Sequence, residues 1–195
     1  LDPYSLWLED DFRLFHHENI IFGCFCPLHL QEFSTWCGYH YTREELLEVL
    51  LKKGEPHPHR ALWLEMNASS MEQAMKQIEG AVHSTSPSTQ LGLMCSNPTH
   101  HAVEGRDWQK LMDALCGTTQ THPVARPSMG SYNEFETMDV LEGLDGARIT
   151  MALLPENTIL CPELESCFYS TYAKSARHTG LQVGLSALTG ATHLT

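Results

Sequence analysis

Apolar residues in this chain come in short runs broken by polar, proline- and glycine-marked segments. Ile20-Ile21-Phe22-Gly23-Cys24-Phe25-Cys26 is apolar at consecutive positions and stops at Pro27, which predicts a strand buried on both faces over 20–26. A helix is predicted over 42–53. Thr42 and Glu45 have capping-box spacing, Leu46, Leu47, Leu50 and Leu51 form an apolar face, and Lys52, Lys53 and Gly54 suit a helix end. The runs 61–66, 90–95 and 147–154 predict three further strands. Met71, Met75, Ile78 and Val82 recur at helical spacing and predict a helix over 70–82. Trp108, Leu111, Met112 and Leu115 predict another over 105–116. The stretch 117–132, rich in Thr, Pro, Gly and Ser, reads as a long loop or a boundary.

Together these elements predict an α+β fold, a single domain over 1–195 with a mixed β-sheet covered by about three helices. The region 15–60 forms a cysteine- and histidine-rich N-terminal subregion. A length of 195 residues with 42% hydrophobic composition suits one domain with its own core.

Charge narrows the partners. The chain has 24 acidic and 12 basic side chains, a formal net charge of −12. Binding nucleic acid or an anionic membrane surface calls for a basic footprint, so nucleic acid is not expected as a partner. No apolar run approaches the roughly 20 residues of a membrane helix, so membrane insertion is not expected either. Seven cysteines cannot all pair within one chain, and reduced thiols point to a cytoplasmic setting. Asn67-Ala68-Ser69 is a formal glycosylation triplet.

The chain is unusually rich in histidine, with 12 residues, as many as lysine and arginine together. Cys26-Pro-Leu-His29 and Cys37-Gly-Tyr-His40 repeat a C-x2-H spacing. Thiolate and imidazole are preferred zinc ligands, and two such turns complete a tetrahedron. Cys26, His29, Cys37 and His40 are therefore candidate ligands of a structural zinc, with Cys24, His16, His17, His57 and His59 in reserve. Two cysteines are also candidate nucleophiles. Cys37 precedes the helix beginning near Thr42, and Cys95 ends a predicted strand with His100 and His101 a few residues on. Asn97-Pro98-Thr99-His100 resembles the self-cleaving element of the export-switch proteins of type III secretion, over those four residues.

These features predict an acidic protein-interaction or adaptor domain with another protein as partner, carrying a zinc staple. The competing expectation is a cysteine-dependent hydrolase or acyltransferase using Cys37 or Cys95 with a histidine.

Overall fold

The computed structural model describes residues 3–10, 12–15, 23–119, 121–130, 132–135, 138–164 and 173–194. Four strands are found among them: β1 (Ser5–Leu8), β2 (Gln90–Cys95), β3 (Val124–Pro127) and β4 (Ile159–Leu160). They form one parallel sheet in the order β1-β2-β3-β4. The seven described helices are α1 (Pro27–Cys37), α2 (Arg43–Leu50), α3 (Pro58–His83), α4 (Pro98–Val103), α5 (Trp108–Cys116), α6 (Asp139–Leu153) and α7 (Ala176–Leu188). Helix and strand mix as the sequence predicts, but the described strands are all parallel and the helices exceed three. A strictly sequential parallel order is that of neighbouring strands in the wall of a β/α barrel; a doubly wound sheet reverses its strand order at a switch point.

The sheet has two unlike faces. Leu91, Leu93 and Cys95 of β2 and Ala125 of β3 pack with Met71 and Met75 of α3 and Trp108, Leu111, Met112 and Leu115 of α5. On the other face Trp7 lies across Gly92, its register partner, and a Cβ at Gly92 would come within 2.4 Å of the indole. Glycine at 92 is thus what lets the ring lie against the sheet. A second apolar cluster joins Phe25, Phe33 of α1, Leu46 and Leu50 of α2, and Trp63 and Met66 of α3. Trp63 stacks on Phe25 with centroids 4.9 Å apart and meets Phe33 edge-on at 5.1 Å. The 26-residue α3 serves both clusters.

Several predicted elements match. β2 falls on 90–95, and α2 carries the Thr42–Glu45 capping box, each side chain bonded to the other's backbone N–H. The helices predicted at 70–82 and 105–116 lie within α3 and over α5.

Others are corrected. The run 61–66 is helical and belongs to α3. His57 caps that helix with Pro58 in its first turn, and Trp63 and Met66 are buried three residues apart on one side. A short apolar run looks the same in a buried strand and a buried helix turn. The run 147–154 likewise lies largely in α6, which buries Val140, Ala147 and Thr150 and ends before Pro155. The expected loop at 117–132 contains β3, a four-residue strand that follows Pro123 and ends on Pro127. Of the strand expected at 20–26, residues 20–22 lie outside the described residues, and 23–26 is irregular chain leading into α1. No described helix is long and apolar enough to cross a membrane.

Candidate functional site

Parallel strands deliver their carboxyl ends to one edge of the sheet, and here each end brings polar side chains. Beyond β1 come Asp10 and Arg13; beyond β2, Ser96 and Asn97. Arg126 lies in β3, and Glu163 follows β4. Ser96 Oγ donates to Asp10 Oδ2 at 2.5 Å and accepts from Arg13 Nη1 at 2.8 Å, while Arg13 and Asp10 form an ion pair at 3.4 Å. Across the edge, Arg126 Nη2 pairs with Glu163 Oε1 at 3.4 Å, and Tyr132 Oη donates to the same oxygen at 3.0 Å. The backbone N–H of Glu163 is anchored on the Pro127 carbonyl at 3.0 Å, which extends the β3–β4 pairing past the strand end. The carboxylate itself is only 4% exposed. A carboxylate this buried stays charged only because it is paired and hydrogen-bonded.

A buried network backs this edge. His101 Nδ1 lies 2.9 Å from Glu104 Oε1, Arg106 Nε donates to the same oxygen at 2.8 Å, and Leu14 N–H donates to Glu104 Oε2 at 2.6 Å. Arg106 also donates to the Phe12 carbonyl at 2.5 Å. The segment after β1 is thereby tied to α4 and the loop behind it. Burial pushes His101 down to about 4, only partly offset by its bond to Glu104, so the ring is neutral at pH 7. Burial alone would raise Glu104, but His101, Arg106 and the Leu14 N–H together bring it below the usual carboxylate range.

The second cluster precedes α1. The ligand atoms of Cys24, Cys26 and His29 all lie within 4.8 Å of one another, with Cys26 Sγ 3.6 Å from His29 Nδ1. Ligand atoms on a tetrahedron around zinc stand roughly 3.5–3.8 Å apart, given Zn–S and Zn–N bonds of about 2.3 and 2.1 Å. The Cys26–His29 separation already matches that spacing. The backbone N–H of His29 lowers the Cys26 thiol, aided by Cys24, whereas burial raises Cys24. The group can hold a metal ion.

The structure brings Cys26 and His29 together but completes the group with Cys24. Cys26 caps α1 at its start and Cys37 ends it, about 16 Å away along the axis at 1.5 Å per residue. Cys37 donates to the Tyr39 carbonyl, and His40 is exposed. His57 caps α3, and His59 bonds Tyr41 at 2.8 Å; His16 and His17 lie outside the described residues.

Cys95 is fully enclosed beneath the sheet, and burial pushes its thiol up to about 12. Its sulfur faces the Leu93 carbonyl, whereas His101 is committed to Glu104 and His100 packs edge-on to Phe15. Asn97 caps α4, its side-chain oxygen accepting from the N–H and the hydroxyl of Thr99, a local structural use of the Asn-Pro-Thr-His motif. Asn67 is buried within α3. Cys24, Cys26, Cys37, Cys95 and Cys116 carry free thiols.

Apart from Ser96 and Asn97 behind the correctly predicted β2, the edge residues escape sequence reasoning because their strands do. Leu6-Trp7-Leu8 is only a three-residue apolar run, and the charged residues behind it look like ordinary surface. The one signal is the change from apolar run to Glu9-Asp10, the expected form of a strand leaving a sheet at its carboxyl end. Comparisons with protein-family models, curated proteins and solved structures find no match.

Proposed function

We propose that the protein is a zinc-stapled β/α module that binds an uncharged, hydroxyl-rich small molecule at the carboxyl edge of its sheet. The observation that carries this reading is the charge balance of that edge. Asp10 and Arg13 pair, Arg126 and Glu163 pair, and Ser96, Asn97 and Tyr132 add neutral donors and acceptors. A charged ligand would find its counter-charge already engaged, whereas a polyol or sugar could exchange hydrogen bonds with every member. The position agrees with the general placement of ligand sites at the carboxyl ends of parallel strands. Zinc at Cys24, Cys26 and His29 would pin the loop before α1, and with it the helical cluster of α1 and α2.

Thermal-shift and calorimetric titrations with glucose, maltose and inositol, set against glucose 6-phosphate and succinate, test the ligand class. A neutral compound should bind, and Ser96→Ala and Tyr132→Phe should each weaken it about fivefold to tenfold, the worth of one hydrogen bond. Preference for the anions would overturn the charge argument. For the metal, protein purified without chelator should contain about one zinc, and Cys26→Ser should contain none.

A second reading, interaction with another protein, is favoured by one observation. Leu141, Ile149 and Leu153 on α6 are all about half exposed and fall on one 120° arc of the helix. Capture of a partner that is lost on Ile149→Glu would support it. The cysteine-enzyme reading requires a thiolate, which the enclosure of Cys95 opposes.

A further inference from the structure

The metal-ligand cluster is part of the wall of an apolar groove. Cys24, Cys26 and His29 line a groove of about 670 Å³ together with Arg13, Leu14, Phe15, Phe25, Arg43 and Leu47. That volume is in the range of small-molecule sites. Zinc with two thiolates and a neutral imidazole carries no net charge, and the three ligands found among the described residues leave one tetrahedral position for a further donor. Because all three residues line this groove, a fourth ligand can reach the metal from it.

The groove's charge and walls then select that ligand. The Arg13 guanidinium is matched by Asp10 at 3.4 Å. Arg43 reaches over the loop through two bonds to the Phe25 carbonyl, at 3.1 and 3.3 Å, and among the described residues it meets no carboxylate. Arg43 lines the same groove as the cluster, so one positive charge stands beside it. Leu14, Phe15, Phe25 and Leu47 supply walls without polar side-chain atoms.

We propose that this groove binds a small organic monocarboxylate. Its carboxylate completes the coordination of the metal held by Cys24, Cys26 and His29 and faces Arg43, and its apolar body lies against Leu14, Phe15, Phe25 and Leu47. The inference rests on the metal half of the reading above and extends it from a staple to a ligand site.

Cobalt(II)-substituted protein provides the test, with hexanoate, acetate and hexanamide as probes. A thiolate-to-cobalt charge-transfer band reports the metal in its site, and the visible ligand-field bands report the fourth position. Hexanoate should shift those bands saturably, acetate should need a concentration at least tenfold higher, and hexanamide should leave them unchanged. Arg43→Met should weaken hexanoate about tenfold while keeping the charge-transfer band, which shows that the cluster still forms. If no charge-transfer band forms in the parent protein, the metal reading falls and this inference with it. If the band forms but hexanoate leaves the ligand-field bands unmoved, the ligand inference is overturned and the metal stands. Equal affinity for acetate and hexanoate would overturn the role given to the apolar walls.

Discussion

Acidification from pH 6.5 to pH 4.5 should destabilise the fold through one identifiable proton site, His101. The ring is buried beside Phe15 and Trp108 and is held at about 4 in the folded chain, against 6.5 for an ordinary histidine. The folded state therefore refuses a proton that the unfolded chain accepts. With a depressed folded value, this contribution is fully present above about pH 6.5 and falls away as the pH drops towards 4, below which it declines no further. Each pH unit inside that window costs about 1.4 kcal/mol per proton. The unfolded ring is half protonated at pH 6.5, so the two units down to 4.5 remove about 2 kcal/mol, a large share of the 5–15 kcal/mol typical of folded domains. Glu104, held below its ordinary range, works in the same direction but at lower pH. Its contribution is present above the unfolded carboxylate value and is lost as pH falls through its folded one. Urea unfolding at the two pH values, in the parent and in His101→Gln, isolates the histidine. The variant starts less stable, but its loss on acidification should be smaller than the parent's by about 2 kcal/mol. Equal losses in the two proteins, or a His101 proton resonance titrating near pH 6.5, would refute the reasoning.

Removing the carboxylate at the centre of the same network by Glu104→Ala leaves the buried Arg106 guanidinium without its counter-charge and should cost about 3–5 kcal/mol in urea unfolding. Loss below about 1 kcal/mol would mean that water already reaches the network. Trp63→Ala empties the centre of the α1–α2–α3 cluster, where the ring is fully buried between Phe25 and Phe33, and should cost about 3–5 kcal/mol by the same assay. A near-neutral result would place the cluster outside the cooperative core. The formal charge of −12 falls to zero near the sequence isoelectric point of about 5.3, so light scattering should rise as pH falls through about 5 to 6. A flat trace would show that charge repulsion does not keep the chain dispersed.

Residues that act on their own neighbours along the chain are legible in the sequence alone. Thr42 and Glu45 bond each other's backbone three positions apart, and the β2 run 90–95 is apolar and bounded by turn residues, so both elements follow from local chemistry. The Cys26–His29 pair is local too, because the first turn of α1 brings positions three apart together. The acidic charge and the want of any membrane-length apolar run are likewise properties of the string.

What the fold decided is everything that depends on distant segments meeting. Whether 61–66 is strand or helix turns on where Trp63 and Met66 are buried, and only the facing cluster of Phe25, Phe33 and Leu46 settles that. Whether Cys24 or Cys37 joins Cys26 depends on α1 being a straight helix that carries Cys37 away. The carboxyl edge is the clearest case. Asp10 and Ser96 stand 86 positions apart in sequence, and Arg126 and Glu163 stand 37 apart. Each looks like a surface residue until parallel pairing carries the strand ends to one edge. Hydrophobic patterning acts over a turn or a strand, whereas a polar site is made by contacts whose sequence separation no local pattern encodes.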